Sequence, residues 1–372
     1  MTTFFDVDSH VEECEDTWQY LDDRFRDRRP QAITVEDRRN LFGQNAFWLI
    51  DGGAVPRVTG RALSFFGTPT TSRFARAKPF SIGSQELTDV QERLADLDRF
   101  GIDRQIVNSS LFNTQLTPDI GLEQALATSY NTWISKACAQ SGGRLRWTAV
   151  MRLRDVNGAI DELRRVATMG AVAAEIHGLA GDVIIESREL DPFWAEAERI
   201  GLPIYVHIGF PSPALLNLFR SLYMTVAVAN RFSALLGFVA VVGTGIAERY
   251  PGLRFAFVEA GAAWVPWLVD VMEGYWRLGK GPWGNVPEFG HSSTNPREMV
   301  RSGKIYVVCE ADEPLHDVLG VLGEDHVMLG SDMPHPESHP NALEVFRGRD
   351  DIAPRVKAKI LSENALRLFG AA

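Results

Sequence analysis

Cysteine is scarce: 372 residues contain three, Cys14, Cys138 and Cys309. Their wide spacing gives neither a zinc pattern nor a disulfide framework, so a reducing, cytoplasmic setting is expected. Positive charge is in deficit, with 38 Lys and Arg against 48 Asp and Glu and a net charge of −10. No basic stripe is present, and the arginines of 22–29 alternate with aspartates, so no nucleic-acid partner is expected. Long apolar runs are missing too. The most apolar stretch, 232–247, is shorter than the roughly 20 residues a membrane span needs. It carries three glycines and reads as a buried helix with a second subunit as candidate neighbour. The chain reaches a polar motif by residue 6 with no basic start, so neither a secretory signal nor a membrane partner is expected. Internal repeats and low-complexity tracts are absent.

What is present begins with Phe4-Phe5-Asp6-Val7-Asp8-Ser9-His10. Side chains alternate along a strand, so a strand here projects Asp6, Asp8 and His10 to one face. Three such groups at the end of an apolar strand are costly to bury unless something satisfies them, and a divalent cation would. Glu12 follows closely and is a further candidate of open role.

The rest alternates between strand and helix patterns. A long turn-rich region, 18–84, comes first and is expected to form an insertion or lid over a site. Strands are then expected at 102–108, 145–151, 171–177, 202–207, 254–258, 304–309 and 327–329. Helices are expected at 87–100, 120–140, 156–169, 191–200, 215–250, 264–276, 314–322 and 356–368, and 279–296 reads as a second irregular insertion. With the first strand this makes eight units, which favours a closed (β/α)8 barrel of the TIM type, distorted by the insertion after strand one and spanning 1–372 as one domain. An open doubly wound sheet would want a glycine-rich phosphate turn after an early strand, and none follows Asp8.

The polar residues fall at one end of these strands. Strand one ends in Asp8 and His10, strand four in His177, strand five in His207, strand six in Glu259, and strand eight runs into Asp332 and His335. In a barrel these ends share one mouth, where catalytic residues gather. Asp8, His10, His177, His207, Glu259 and Asp332 are therefore the expected metal ligands, with Glu259 and His335 as candidates to move protons. Mixed imidazole and carboxylate donors suit zinc, manganese or iron. His291, His316, His326 and His339 lie away from the predicted strand ends and read as surface or structural.

The segments Asp6-Val7-Asp8-Ser9-His10, 202–207, 329–335 and 359–365 together resemble the amidohydrolase superfamily. The likeness is to its amidohydrolase 2 branch, which includes aminocarboxymuconate semialdehyde decarboxylase and resorcylate-type decarboxylases. The resemblance implies a distorted barrel with a divalent metal, held at positions matching Asp8, His10, His207 and Asp332. Many decarboxylases of the branch carry a histidine after strand six, where this chain has Glu259. A hydrolase or non-oxidative decarboxylase with one zinc or manganese, acting on a small organic carboxylate or carbonyl compound, is the first expectation. A dinuclear iron or manganese oxygenase, with His177 and Glu259 completing the second site, is the alternative. A non-catalytic partner subunit is the third. Phe47, Trp48, Phe65 and Phe66 of the insertion, with Trp264, Trp267 and Trp276, suggest an apolar or planar pocket, while ordinary packing explains each tryptophan singly. A homo-oligomer, or pairing with a homologous subunit, is expected from the apolar helix.

Overall fold

A computed structural model describes residues 3–36, 44–281, 286, 289–335 and 341–370. Eight strands form one sheet: β1 (Phe5–Val11), β2 (Arg104–Ser109), β3 (Leu145–Val150), β4 (Ala173–Ile176), β5 (Ile204–His207), β6 (Phe255–Val258), β7 (Ile305–Cys309) and β8 (Val327–Leu329). They lie side by side in chain order, every pair parallel. The ring closes at the mouth, where His10 N donates to Met333 O (2.7 Å) and Asp332 N to Asp8 O (2.9 Å). This is the expected (β/α)8 barrel.

Two apolar layers hold it. Inside the ring, Phe5, Val7, Ile106, Tyr205, Val258, Tyr306 and Met328 pack together, and Phe369 plugs the far end. Outside, the opposite strand faces pack against the helices in a larger core. The helices are α1 (Val90–Phe100), α2 (Ile120–Ala139), α3 (Val156–Thr168), α4 (Asp191–Ile200), α5 (Leu222–Gly243), α6 (Val265–Gly279) and α7 (His316–Leu322), with α8 starting as Pro354–Ala358 and ending as Asn364–Phe369. Asp89, Asp119 and Asp155 cap the starts of α1, α2 and α3, accepting bonds from free backbone N–H groups.

Two segments differ from expectation. The insertion contains a small antiparallel sheet of Gln31–Thr34, Ala46–Ile50 and Gly53–Val55, strands too short and turn-rich to give a period. It is pinned to the barrel by a buried ion pair between Glu12 and Lys78. The expected helix 215–250 is broken into Pro213–Leu216, α5 and Ile246–Arg249. Gly245, with φ +89°, takes the left-handed turn that ends α5. By length and composition α5 could cross a membrane, and half of its most apolar window is buried in the fold. Its Gly237 is a close-approach residue: an added Cβ would stand 3.0 Å from Gly178 Cα. Part of 279–296 lies outside the described residues.

Candidate metal centre

The first strand does not alternate cleanly. Between Asp6 and Ser9, three steps on β1 match two on β2, from Gln105 to Val107. This bulge slips the faces by one residue. Asp6 is thereby turned into the seam between β1 and β8, where Ser331 N (2.9 Å), Ser331 Oγ (2.6 Å) and Gln105 Nε2 (2.7 Å) donate to its carboxylate. Burial pushes Asp6 up to about 6. Arg93, wholly buried on α1, donates to Gln105 Oε1 (2.9 Å) and His10 O (3.0 Å), so it fixes the backbone beneath the motif. The acids after the motif also have structural partners: Glu12 pairs with Lys78, and Glu13 accepts from Ser109 Oγ (2.5 Å) and Leu111 N (2.9 Å).

Asp8 and His10 face the barrel axis and meet residues from three other strand ends. Nε2 of His10 is 2.9 Å from Glu259 Oε2, 3.3 Å from Asp332 Oδ1 and 3.7 Å from Asp8 Oδ1. Nε2 of His207 is 2.8 Å from the same Glu259 oxygen and 3.7 Å from Asp8 Oδ1. Nδ1 of His335 is 2.8 Å from Asp332 Oδ1. Two overlapping groups result, Asp8–His10–His207–Glu259 and His10–Glu259–Asp332–His335, the ligand atoms of each lying within 4.8 Å of one another and every residue buried.

The outer ring atoms fix the tautomers. His10 Nδ1 is 3.0 Å from Ser109 O and His207 Nδ1 is 3.0 Å from Ile208 O. A carbonyl only accepts, so Nδ1 carries hydrogen, and Nε2, left facing the carboxylates of the cluster, would offer its lone pair to a cation. His207 Nε2 and His335 Nδ1 are buried without a hydrogen bond, although a carboxylate oxygen stands 2.8 Å from each. Such close but misaligned approaches fit donors that converge on a third body, a cation.

Electrostatics agrees. Among the described residues no lysine or arginine pairs with Asp8 or Glu259. Burial works against charge on His10 and His207, yet the Glu259 carboxylate outweighs it and raises both, His207 strongly. Burial likewise opposes charge on Glu259, and His207 and His10 hold it well below the usual range. The protein thus asks for positive charge at this spot, as imidazole protons or as a metal ion. His335 is driven well down by burial and by His10, which leaves its lone pair available. Glu259 (φ +62°) and Asp332 (φ +56°) both adopt the left-handed region, which costs a residue other than glycine roughly 1–3 kcal/mol and clusters at functional sites.

His177 is not brought to the cluster. Its Nδ1 and Nε2 each lie 3.1 Å from backbone carbonyls, of His207 and Phe112. It stands behind His207 in neither group, and burial drives it down to about 4. Expected as a ligand, it is not brought to the other donors in this structure, because a place at a strand end does not fix which way a ring points. His291, His316 and His326 also belong to neither group, and His339 lies outside the described residues.

Above the cluster opens a cleft of about 410 Å³, lined among others by Phe65, Ile208, Arg231, Glu259, Glu310 and Asp332. Phe65 comes from the insertion and packs on Phe66 (4.7 Å), which meets Phe210 (5.7 Å) and the His335 ring (6.2 Å). The tryptophans do not line it: Trp264 packs on Phe238, Trp276 donates to Ser292 O, and Trp267 is 61% exposed. Sequence reasoning missed Arg231 and Glu310. Glu310 directly follows β7, so the strand-end rule could have found it; Arg231, on α5, carried no signal. Burial, then Asp8, Glu313 and Glu259, push Glu310 up to about 7 against the pull of Arg231.

Known proteins share this architecture. An amidohydrolase of Mycobacterium avium subsp. paratuberculosis K-10 superposes with a TM-score of 0.77 at 19% identity, covering 100% of this chain and 98% of that one. A 5-carboxyvanillate decarboxylase of Novosphingobium aromaticivorans DSM 12444, complexed with manganese and a nitrobenzoic acid, gives 0.71 at 18% identity over 99% and 96%. The gamma-resorcylate decarboxylase of Rhodococcus jostii (strain RHA1) is 26% identical over 304 residues, 76% of this chain and 88% of that one. Residues 88–371, which carry His207, Glu259, Asp332 and His335 to the barrel mouth, match the family described as amidohydrolase, and the chain belongs to that family, in its amidohydrolase 2 branch.

Proposed function

We propose that this protein is a metal-dependent, non-oxidative decarboxylase of a single-ring aromatic carboxylate. The observation that carries the reading is the cleft itself, whose lining brings together Glu259 and Asp332 of the metal-competent groups, Phe65 and one arginine, Arg231. Relatives support the reaction class, since the Rhodococcus protein and a Dictyostelium discoideum relative, 21% identical over 291 residues, are both decarboxylases. A cleft of about 410 Å³ is at the small end of ligand sites, which suits one substituted ring.

Asp8, His10, His207, Glu259 and Asp332 would hold the divalent ion, with manganese favoured by the manganese-bound neighbour and by the nitrogen and oxygen donors. When bound, such an ion supplies positive charge that stabilises electron density as it develops on the substrate. Arg231 binds an anionic substituent, and Phe65 stacks on the ring and keeps water from it. The bond from ring carbon to carboxylate breaks, carbon dioxide leaves, and the ring carbon takes a proton. Glu310 holds that proton across the cleft from Arg231. The insertion 18–84 acts as a lid through Phe65. The chain self-associates through an exposed apolar stripe on α6, Trp267, Val271, Tyr275 and Leu278.

The test is to incubate manganese-loaded protein with a panel of hydroxybenzoates and carboxyvanillate and measure carbon dioxide and oxygen together. Carbon dioxide release without oxygen uptake is expected. Release from no member of the panel, with hydrolysis of amides or lactones instead, would overturn the reading.

A further inference from the structure

One part of the surface breaks the charge pattern of the chain. The protein carries a net charge of −10, yet no acidic residue lies between Asp51 and Glu86 or between Glu198 and Glu248. The fold joins these two stretches beside the cleft. Ala62 N donates to Phe219 O (3.0 Å), Phe66 packs on Phe210 (5.7 Å), and Arg57 and Arg61 reach Asn217 Oδ1 and Asn217 O, each at 3.5 Å. Arg57, Arg61 and Arg220 are exposed, and among the described residues none of them pairs with a carboxylate. On either side of Arg220 in the chain, large apolar side chains stand in water: Leu218 is 71% exposed, Tyr223 78% and Met224 45%. Core packing does not account for them, because the cluster beneath is built from Phe66, Phe210, Phe219 and Ala229. Helix α5, whose first turn holds Tyr223 and Met224, has half of its most apolar window outside the core.

We propose that this rim docks the protein on a bilayer surface rich in anionic phospholipid, with Leu218, Tyr223 and Met224 entering the headgroup layer and Arg57, Arg61 and Arg220 meeting lipid phosphates. Apolar side chains flanked by cations, a tyrosine among them, are what such a surface receives. Charge selects this occupant over a second copy of the chain. Two copies joined through the rim about a two-fold axis would bring its arginines together with no acid to receive them, and like charges across an interface weaken it. The α6 stripe, by contrast, has Asp270 and Glu273 among its apolar residues. The expectation of no membrane partner rested on the lack of a span and of a signal, and surface docking needs neither. Val226, Ala227 and Arg231 of α5 line the cleft, so docking sets its entrance near the lipid surface. The inference is independent of the metal and of the reaction catalysed.

The test is co-sedimentation of the full-length protein with vesicles of phosphatidylcholine alone and of phosphatidylcholine and phosphatidylglycerol in equal parts. Wild-type protein is expected to pellet with the mixed vesicles, to stay in solution with phosphatidylcholine alone, and to be released as salt is raised. Arg220→Gln is expected to weaken binding about fivefold, the share of one arginine near an anionic surface. The double variant Leu218→Asp/Tyr223→Asp is expected to lose binding, with thermal unfolding as in wild-type protein because both positions are exposed. Wild-type protein that stays in solution with both kinds of vesicle would overturn the inference, as would equal binding by wild-type protein and both variants. A wild-type oligomer that the double variant dissociates would assign the rim to a second copy and overturn it too.

Discussion

Arg93→Met is the sharpest probe of how the fold holds its site. Arg93 is wholly buried. It donates five hydrogen bonds, to Gln105 Oε1, Ser84 O, Ser9 Oγ, His10 O and Met333 O. Methionine keeps most of the volume and removes every donor. Two acceptors matter most, His10 O at 3.0 Å and Gln105 Oε1 at 2.9 Å; leaving a buried acceptor unsatisfied costs about 1–3 kcal/mol each. The buried guanidinium carries a desolvation cost of its own, visible in its fall to about 10, and removing it returns part of the loss. The net is a destabilisation of about 2–4 kcal/mol, comparable to other broken buried polar networks. It is expected as a drop of roughly 1 M in the urea midpoint. The bonds released are those that fix His10 to Met333, so Mn2+ affinity is also expected to fall about tenfold or more, as when an outer partner of a metal ligand is removed. An unchanged midpoint together with unchanged Mn2+ affinity would refute the reasoning.

Glu310→Gln tests the proton donor. It is expected to lower kcat by about a hundredfold, within the range for acid–base groups. Glu310 donates only while protonated, and its carboxyl is pushed up to about 7. The wild-type rate therefore falls as pH rises through that region, earlier still because a bound cation opposes the push, and the variant lacks this limb. A pH–rate profile identical in the two proteins would count against the role. Gly330→Ala tests the floor of the cluster: an added Cβ would collide with Asp8 Cβ, so a loss of Mn2+ affinity of about tenfold or more is expected by calorimetry. For the α6 stripe, light scattering is expected to give a dimer or larger assembly that Trp267→Glu dissociates; a wild-type monomer at micromolar concentration would contradict it.

Much of this was legible in the sequence, because strand ends and caps are local events. The helix Asp191–Ile200 and the strand Val327–Leu329 have the expected bounds, set by Pro192 and Gly201 in the first case. The convergence of Asp8, His10, His207, Glu259 and Asp332 followed from barrel topology alone. What escaped depends on contacts between elements. The bulge that turns Asp6 away needs the register of β2. The carbonyls that occupy His177 belong to other strand ends. Arg231 reaches the cleft only because α5 crosses the mouth, its Gly237 seated on Gly178.

The most direct test of the shared cation is anomalous diffraction at the manganese edge from crystals of the Mn2+-loaded protein. The account predicts a peak bonded to His10 Nε2, His207 Nε2 and the Glu259 carboxylate. Well-ordered density for these side chains with no anomalous peak between them would contradict it.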